Sequence, residues 1–239
     1  QTLHIFYADE KDADLRYAKY DGTKFTYEVV DGNAPQLNKY EDPVRVRTNS
    51  DVSVSSACIA SAAGVQVFYR DESQGILLGA VKPSISKSWN YELVDGDRKT
   101  DGRTTGDVAF HLKAAFDGKK SYLIYDSVLT INQKKYVTTG EVRVATRSNF
   151  SPSNWSYQTL ESTSNEVPVA GYDVALAKTL KGVFATWLTS APNTIPSANK
   201  IRWSYIQSQP TSDSATVSGF GKPGKYLCLI YLLPGHICF

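Results

Sequence analysis

Three observations predict an all-β chain folded as a β-propeller of four-stranded antiparallel blades. A strand-like phrase ending on an aromatic residue recurs as Leu3–Tyr7, Val65–Tyr69, Ser121–Tyr125 and Gly182–Trp187, so Tyr7, Tyr69, Tyr125 and Trp187 stand 62, 56 and 62 residues apart. A second phrase closes on a small residue, in Asp14–Ala18, Gly75–Gly79, Glu141–Ala145 and Lys200–Ser204, and Arg appears in all but one of the copies. A third reads Phe25–Val29, Trp89–Leu93 and Trp155–Thr159. A sandwich has no reason to repeat its strand phrases, whereas a ring of equivalent blades does.

Residues 1–32 hold three alternating runs separated by polar turns such as Asp21-Gly22, which reads as an antiparallel meander. Pro35 and Pro43 mark a connection over 33–50. Full units are expected over 52–96, 107–161 and 172–218, each opening on a small-residue inner strand (Ala57, Ala60, Ala109, Ala175) and carrying its bulk on the outer strands at Trp89 and Trp155. Val128–Gly140 and Thr189–Asn199 read as long inserts projecting from one face. The first unit enters at its second strand, and Tyr226–Leu233, within 225–235, is expected to supply the missing strand and close a four-bladed ring. The competing expectation is an arc of a five- or six-bladed propeller, because His236–Phe239 echoes His4–Tyr7.

The chain has 239 residues and a net charge of +2, too balanced for a nucleic-acid partner. No run has the length of a membrane span, so no membrane insertion is expected. The absence of Met marks a processed chain or an excised fragment. The sequons Asn149-Phe150-Ser151 and Asn154-Trp155-Ser156 suit a secreted glycoprotein. Cys58, Cys228 and Cys238 show no metal-site spacing, so neither metal nor cofactor is expected, and Cys58 reads as an apolar core residue.

The phrases His4-Ile-Phe-Tyr-Ala-Asp9 with Leu15-Arg16-Tyr17, and Gln66-Val-Phe-Tyr-Arg-Asp71, resemble the repeat of the fungal fucose-binding lectins, whose rhythm is R-V-Y-Y-Q-D, a turn, I-R-E and a Trp. The resemblance spans residues 1–206 as a pattern. It implies a secreted propeller that holds sugar hydroxyls with the first Arg and the last Glu of each repeat. The corresponding positions are His4 and Tyr17, Gln66 and Leu78, and Tyr122 and Val144, so that pair is missing and fucose itself is not expected.

A carbohydrate site still has a physical basis, since aromatic faces and a few fixed polar groups in clefts between blades bind saccharides. The candidate binding residues are His4, Arg16, Tyr17, Gln66, Arg202 and Trp203. The expected function is non-catalytic, lectin-like binding of glycans or glycoconjugates, with a homo-oligomer compatible with several weak sites. The alternative is a glycan-processing hydrolase or lyase at the channel mouth, and the third reading is a protein-binding propeller. For the enzyme, the recurring acids Asp9, Asp71 and Asp126 read first as turn-forming residues, and His4 and His111 are the histidines that a ring could bring together.

Overall fold

The computed structural model describes residues 2–32, 51–52, 54–96, 101–104, 107–131, 137–148, 154–163, 169–190, 200–206, 212–216 and 236–238. Every described element is a β-strand. The first sheet has the order β16-β1-β2-β3, formed by β1 (Thr2–Asp9), β2 (Asp14–Tyr20), β3 (Phe25–Asp31) and β16 (His236–Cys238). The second is a meander of β4 (Ser56–Ser61), β5 (Gly64–Asp71), β6 (Ile76–Pro83) and β7 (Asn90–Asp95). The third follows with β8 (Asp107–Phe116), β9 (Lys120–Ile131), β10 (Val137–Ser148) and β11 (Ser156–Thr163). The fourth contains β12 (Val169–Thr179), β13 (Gly182–Ser190), β14 (Lys200–Ile206) and β15 (Ser212–Thr216).

The repeat is real at the level of register. Tyr7 pairs with Arg16, Tyr69 with Leu78, Tyr125 with Arg143 and Trp187 with Arg202. Trp89 and Trp155 each stand one residue before an outer strand, β7 and β11. Paired residues share a sheet face, so each aromatic residue and its partner point the same way.

The propeller expectation is corrected. The chain forms four separate sheets rather than a closed ring, and an arc of a larger ring is likewise not what the structure shows. β1 and β16 meet β4, β4 meets β8 and β8 meets β12, but no described strand of the fourth sheet packs substantially on the first. The exposure of individual residues gives the reason in physical terms. Tyr69 and Tyr125 are fully buried against a preceding sheet, whereas their counterpart Tyr7 is 38% exposed, and Phe25 and Tyr27 are 44% and 67% exposed. The edge strand of the first sheet also departs from an antiparallel blade, since β16 runs parallel to β1, with Thr2 opposite His236 and His4 opposite Cys238. The expected closing strand, Tyr226–Leu233, lies outside the described residues.

Two smaller expectations change as well. Much of the Val128–Gly140 insert extends the β9–β10 hairpin, its residues 132–136 lying outside the described ones, as does most of the Thr189–Asn199 insert. Cys58 packs against the first apolar core as expected, but as a disulfide-bonded residue.

Three apolar cores lie between consecutive sheets. Phe6, Leu15, Tyr17 and Val30 of the first sheet pack with Val67, Tyr69 and Leu78 of the second. Phe68 and Leu77 pack with Leu123 and Tyr125. Val142 and Val144 pack with Val174 and Trp187. Each fully buried large side chain contributes about 1.5–3 kcal/mol, so these seams dominate the fold.

Candidate functional site

The sequence-chosen residues fall into the seams. In the first, the Tyr17 hydroxyl lies 2.7 Å from His4 Nδ1, and the Tyr17 ring stacks on Phe6 at 5.0 Å and meets the edge of Trp89 at 5.4 Å. Burial, then the Glu28 carboxylate, push the Tyr17 hydroxyl far up, so it stays protonated. Glu28 accepts from Trp89 Nε1 at 3.0 Å and from Lys82 Nζ at 2.5 and 2.6 Å, while Tyr91 donates its hydroxyl to the Val30 carbonyl at 2.6 Å. His4 is 9% and Tyr17 3% exposed, so neither ring is a platform for a sugar.

The second seam repeats the plan with Arg147 in place of Lys82. Glu92 accepts from Arg147 and from Trp155 Nε1 at 3.1 Å, and Tyr157 donates to the Val94 carbonyl at 2.5 Å. Gln66, fully buried, accepts from Arg147 and donates to Ser121 Oγ at 3.1 Å. Gly79 is what makes room, because a Cβ there would stand 2.9 Å from Glu92 Oε1. The register makes Gly79, rather than Leu78, the counterpart of Tyr17, since Tyr17 pairs with Glu28 and Gly79 with Glu92.

A further series joins each outer-strand end to the next aromatic residue. Asp31 accepts from the Tyr69 hydroxyl at 2.6 Å, Asp95 from Tyr125 at 2.6 Å and from Arg143 Nε at 3.0 Å, and Glu161 from Trp187 Nε1 and from Thr189 Oγ1 at 2.8 Å. Arg202 Nε stands 2.8 Å from Glu161 in the same joint. Arg16 pairs with Asp9, Asp12 and Asp14 of its own turn at 2.7, 3.1 and 3.3 Å. Trp203 lies on the far face of the fourth sheet, half-buried beside Phe184 at 5.7 Å. The structure therefore brings His4 and Tyr17 together, ties Gln66 and Arg202 into seams, and leaves Arg16 and Trp203 on separate faces.

The arrangement that opens to solvent is one that the sequence pattern passed over. In β8, Val108 pairs with Ser127 but Leu112 with Tyr125, so Ala109, Phe110 and His111 bulge out of the ladder. The bulge requires Ala109 at φ 63°, a left-handed value for a non-glycine residue. β12 repeats it between Ala170 and Val174, with Gly171 at φ 82°. Because the bulge breaks strand alternation, consecutive residues reach the surface: Phe110 is 40% exposed and the His111 side chain 39%.

Asp126, on β9, holds this bulge. Its Oδ1 accepts from the His111 backbone N–H at 2.9 Å and its Oδ2 stands 3.0 Å from His111 Nδ1, which fixes the ring and makes Nδ1 the protonated nitrogen. The hydrogen bond to Asp126 raises the His111 pKa, burial and Lys113 oppose it, and the Asp126 and Asp173 charges add to the rise. Arg70, 3% exposed, lies 3.8 Å from the centroid of the Phe110 ring, held by Glu72 at 2.8 Å and by the Val108 carbonyl. His4 and His111 serve unrelated contacts, one with Tyr17 and one with Asp126. Among the described residues no group of three or more His, Cys, Asp or Glu side chains is arranged to hold a metal ion, and no helix is long and apolar enough to cross a membrane.

What the fold and these contacts define is an all-β protein of four repeated sheets with a bulged, solvent-open aromatic and His–Asp surface. No family model matches the chain, and no curated protein matches it. Among solved structures, a puromycin-hydrolyzing peptidase of Mycobacterium tuberculosis is similar over 89% of this chain and 32% of that chain, with a TM-score of 0.43 and 10% identity. The chain thus spans about a third of that structure's length, and a likeness this slight carries no function across.

Proposed function

We propose that the protein is a secreted, non-catalytic carbohydrate-binding protein whose sugar site is the bulge surface of β8. The observation that carries the reading is the juxtaposition of the half-exposed Phe110 ring, backed by Arg70, with the Asp126-oriented imidazole of His111. An aromatic face packs on the apolar face of a pyranose, and fixed polar groups beside it select hydroxyls. The burial of His4, Tyr17 and Gln66, with their polar atoms engaged inside the seams, favours the bulge over the clefts as the place for a sugar. β12 repeats the bulge between Ala170 and Val174, which supports a second similar site and a gain in avidity on multivalent glycans. The disulfide at Cys58 and the exposed Asn154 of a sequon support an extracellular setting.

A second reading is favoured by one specific feature. A half-exposed His oriented by a carboxylate is the arrangement of a general acid or base, as a glycan-processing hydrolase would need. Screening purified protein on a glycan array, then assaying every hit for turnover, separates the two. Binding without product is expected, weakened about tenfold in Phe110→Ala, which corresponds to ~1.4 kcal/mol. Turnover abolished in His111→Ala would establish the hydrolase, and absence of both binding and turnover would overturn both readings.

A further inference from the structure

We infer that the end of the molecule formed by the β2–β3, β4–β5, β6–β7, β8–β9 and β12–β13 turns docks on the surface of an anionic lipid bilayer. Hydrogen bonds bring these turns together. The Ser84 N–H donates to the Ala63 carbonyl at 2.9 Å, joining the β6–β7 turn to the β4–β5 turn, and Lys178 Nζ donates to the Asp117 carbonyl at 2.8 Å, joining the end of β12 to the β8–β9 turn. The opposite end is fixed in the same way. There the Val52 N–H donates to the Ala13 carbonyl of the β1–β2 turn, the Glu72 N–H of the β5–β6 turn to the Asp51 carbonyl, and the Val108 N–H at the start of β8 to the Gly75 carbonyl. Because neighbouring strands are antiparallel, the β2–β3 and β8–β9 turns lie away from that end.

Two independent features single out the first of these ends. Leu180 is fully exposed and Ile85 98% exposed, each within a turn. Turn geometry does not call for a large aliphatic residue, since turns favour small and polar ones and the β4–β5 and β8–β9 turns use Ala62-Ala63 and Asp117-Gly118. Charge is the second feature. The balanced total conceals a division: residues 20–25, 61–64, 83–90, 116–120 and 179–182 carry five Lys against two Asp, while 9–14 and 71–76 at the other end carry six carboxylates against one Lys. Lys24, Lys87, Lys119, Lys120 and Lys181 are all exposed. The two Asp are turned into the backbone instead, Asp21 Oδ1 accepting from the Thr23 and Lys24 N–H groups at 2.9 and 3.0 Å, and Asp117 Oδ1 from those of Lys119 and Lys120 at 2.7 Å each.

Aliphatic tips ringed by ammonium groups match a bilayer interface, where cations meet anionic headgroups and apolar side chains enter the acyl boundary. A soluble polyanion would engage the lysines and leave both tips without a partner, so a lipid surface accounts for more of what this end presents. The docking is peripheral and requires no spanning segment. Phe110 and His111 lie in the half of β8 that starts at the acidic end, so their surface stays open when the basic end is docked.

The test is co-sedimentation of the full chain with vesicles of phosphatidylcholine, alone or mixed with phosphatidylserine. Retention is expected on the anionic vesicles only, falling as salt rises. Ile85→Ser with Leu180→Ser, and separately Lys119→Glu with Lys120→Glu, are each expected to weaken it about tenfold. Thermal unfolding should be unchanged in both, because all four side chains are exposed. Glu10→Ala, at the acidic end, is expected to leave retention as it is. No retention on anionic vesicles would overturn the inference, as would equal retention on neutral ones. Full retention of the Ile85→Ser, Leu180→Ser protein, the mark of a site for soluble polyanions, would overturn it too, and so would a loss in Glu10→Ala as large as in the turn variants.

Discussion

Glu92 shows how one carboxylate can hold two sheets together. It is 3% exposed and Arg147 is fully buried, so the pair is balanced only while both charges and the Trp155 N–H are present. Removing one partner leaves an uncompensated charge in a dry seam, a change that costs about 3–5 kcal/mol. Glu92→Ala is therefore expected to lower the denaturant midpoint strongly, and Glu92→Ala with Arg147→Met to recover a large part of the loss, both read by urea titration. His111 behaves differently because its side chain is 39% exposed. Its pKa is raised in the folded state, so the stability it contributes is fully present below the unfolded imidazole value, roughly 6.5, and is lost as pH rises through the higher folded value. An NMR titration of the His111 ring is expected to show a midpoint above that of a free imidazole, and Asp126→Asn to bring it down. None of these roles was readable residue by residue. The sequence marks Gln66 and His4 as strand positions, but which face meets a neighbouring sheet depends on contacts with residues 55 positions away, as between Gln66 and Ser121.

At the scale of elements, the strands were legible because period-two alternation and Asp-Gly turns are local signals, and β1, β2, β3 and β5 fall where the phrases place them. The bulges were not legible, since they arise from a mismatch between two strands rather than from either one. Their trace in the sequence is the spacing of Ala109-Phe110-His111 and Gly171-Tyr172-Asp173, which interrupt otherwise small-residue inner strands. Gly171 is required there twice over: its φ is 82°, and a Cβ would stand 2.9 Å from Asp126 Cβ. Gly171→Ala is expected to destabilise the fold by about 1–3 kcal/mol through left-handed strain and overpacking. It should also shift the His111 ring resonances, because the residue it crowds is the one that orients His111. Unchanged resonances would mean that the two bulges are independent.

At the scale of the whole molecule, the repeat predicts equivalent sheets but does not by itself predict how the ends meet. Seams form where an aromatic residue, a cation and an outer-strand carboxylate coincide, and that coincidence occurs between sheets one and two and between two and three. The third seam combines the same three kinds of group, Glu161 with Trp187 and Arg202, while Phe25 and Tyr27 remain exposed. In the proposed reading the binding surface is the β8 bulge: of the residues that a lectin-like pattern nominates, Gln66 and Arg202 join sheets and His4 and Tyr17 are buried in the first seam, whereas Phe110 and His111 are turned outward. The direct measurement of that claim is a calorimetric titration of an array-identified saccharide against two variants, Phe110→Ala and Gln66→Ala. The account predicts that Phe110→Ala weakens binding about tenfold at unchanged stability, while Gln66→Ala lowers stability and leaves the affinity of the folded protein intact; full affinity in Phe110→Ala with loss in folded Gln66→Ala would contradict it.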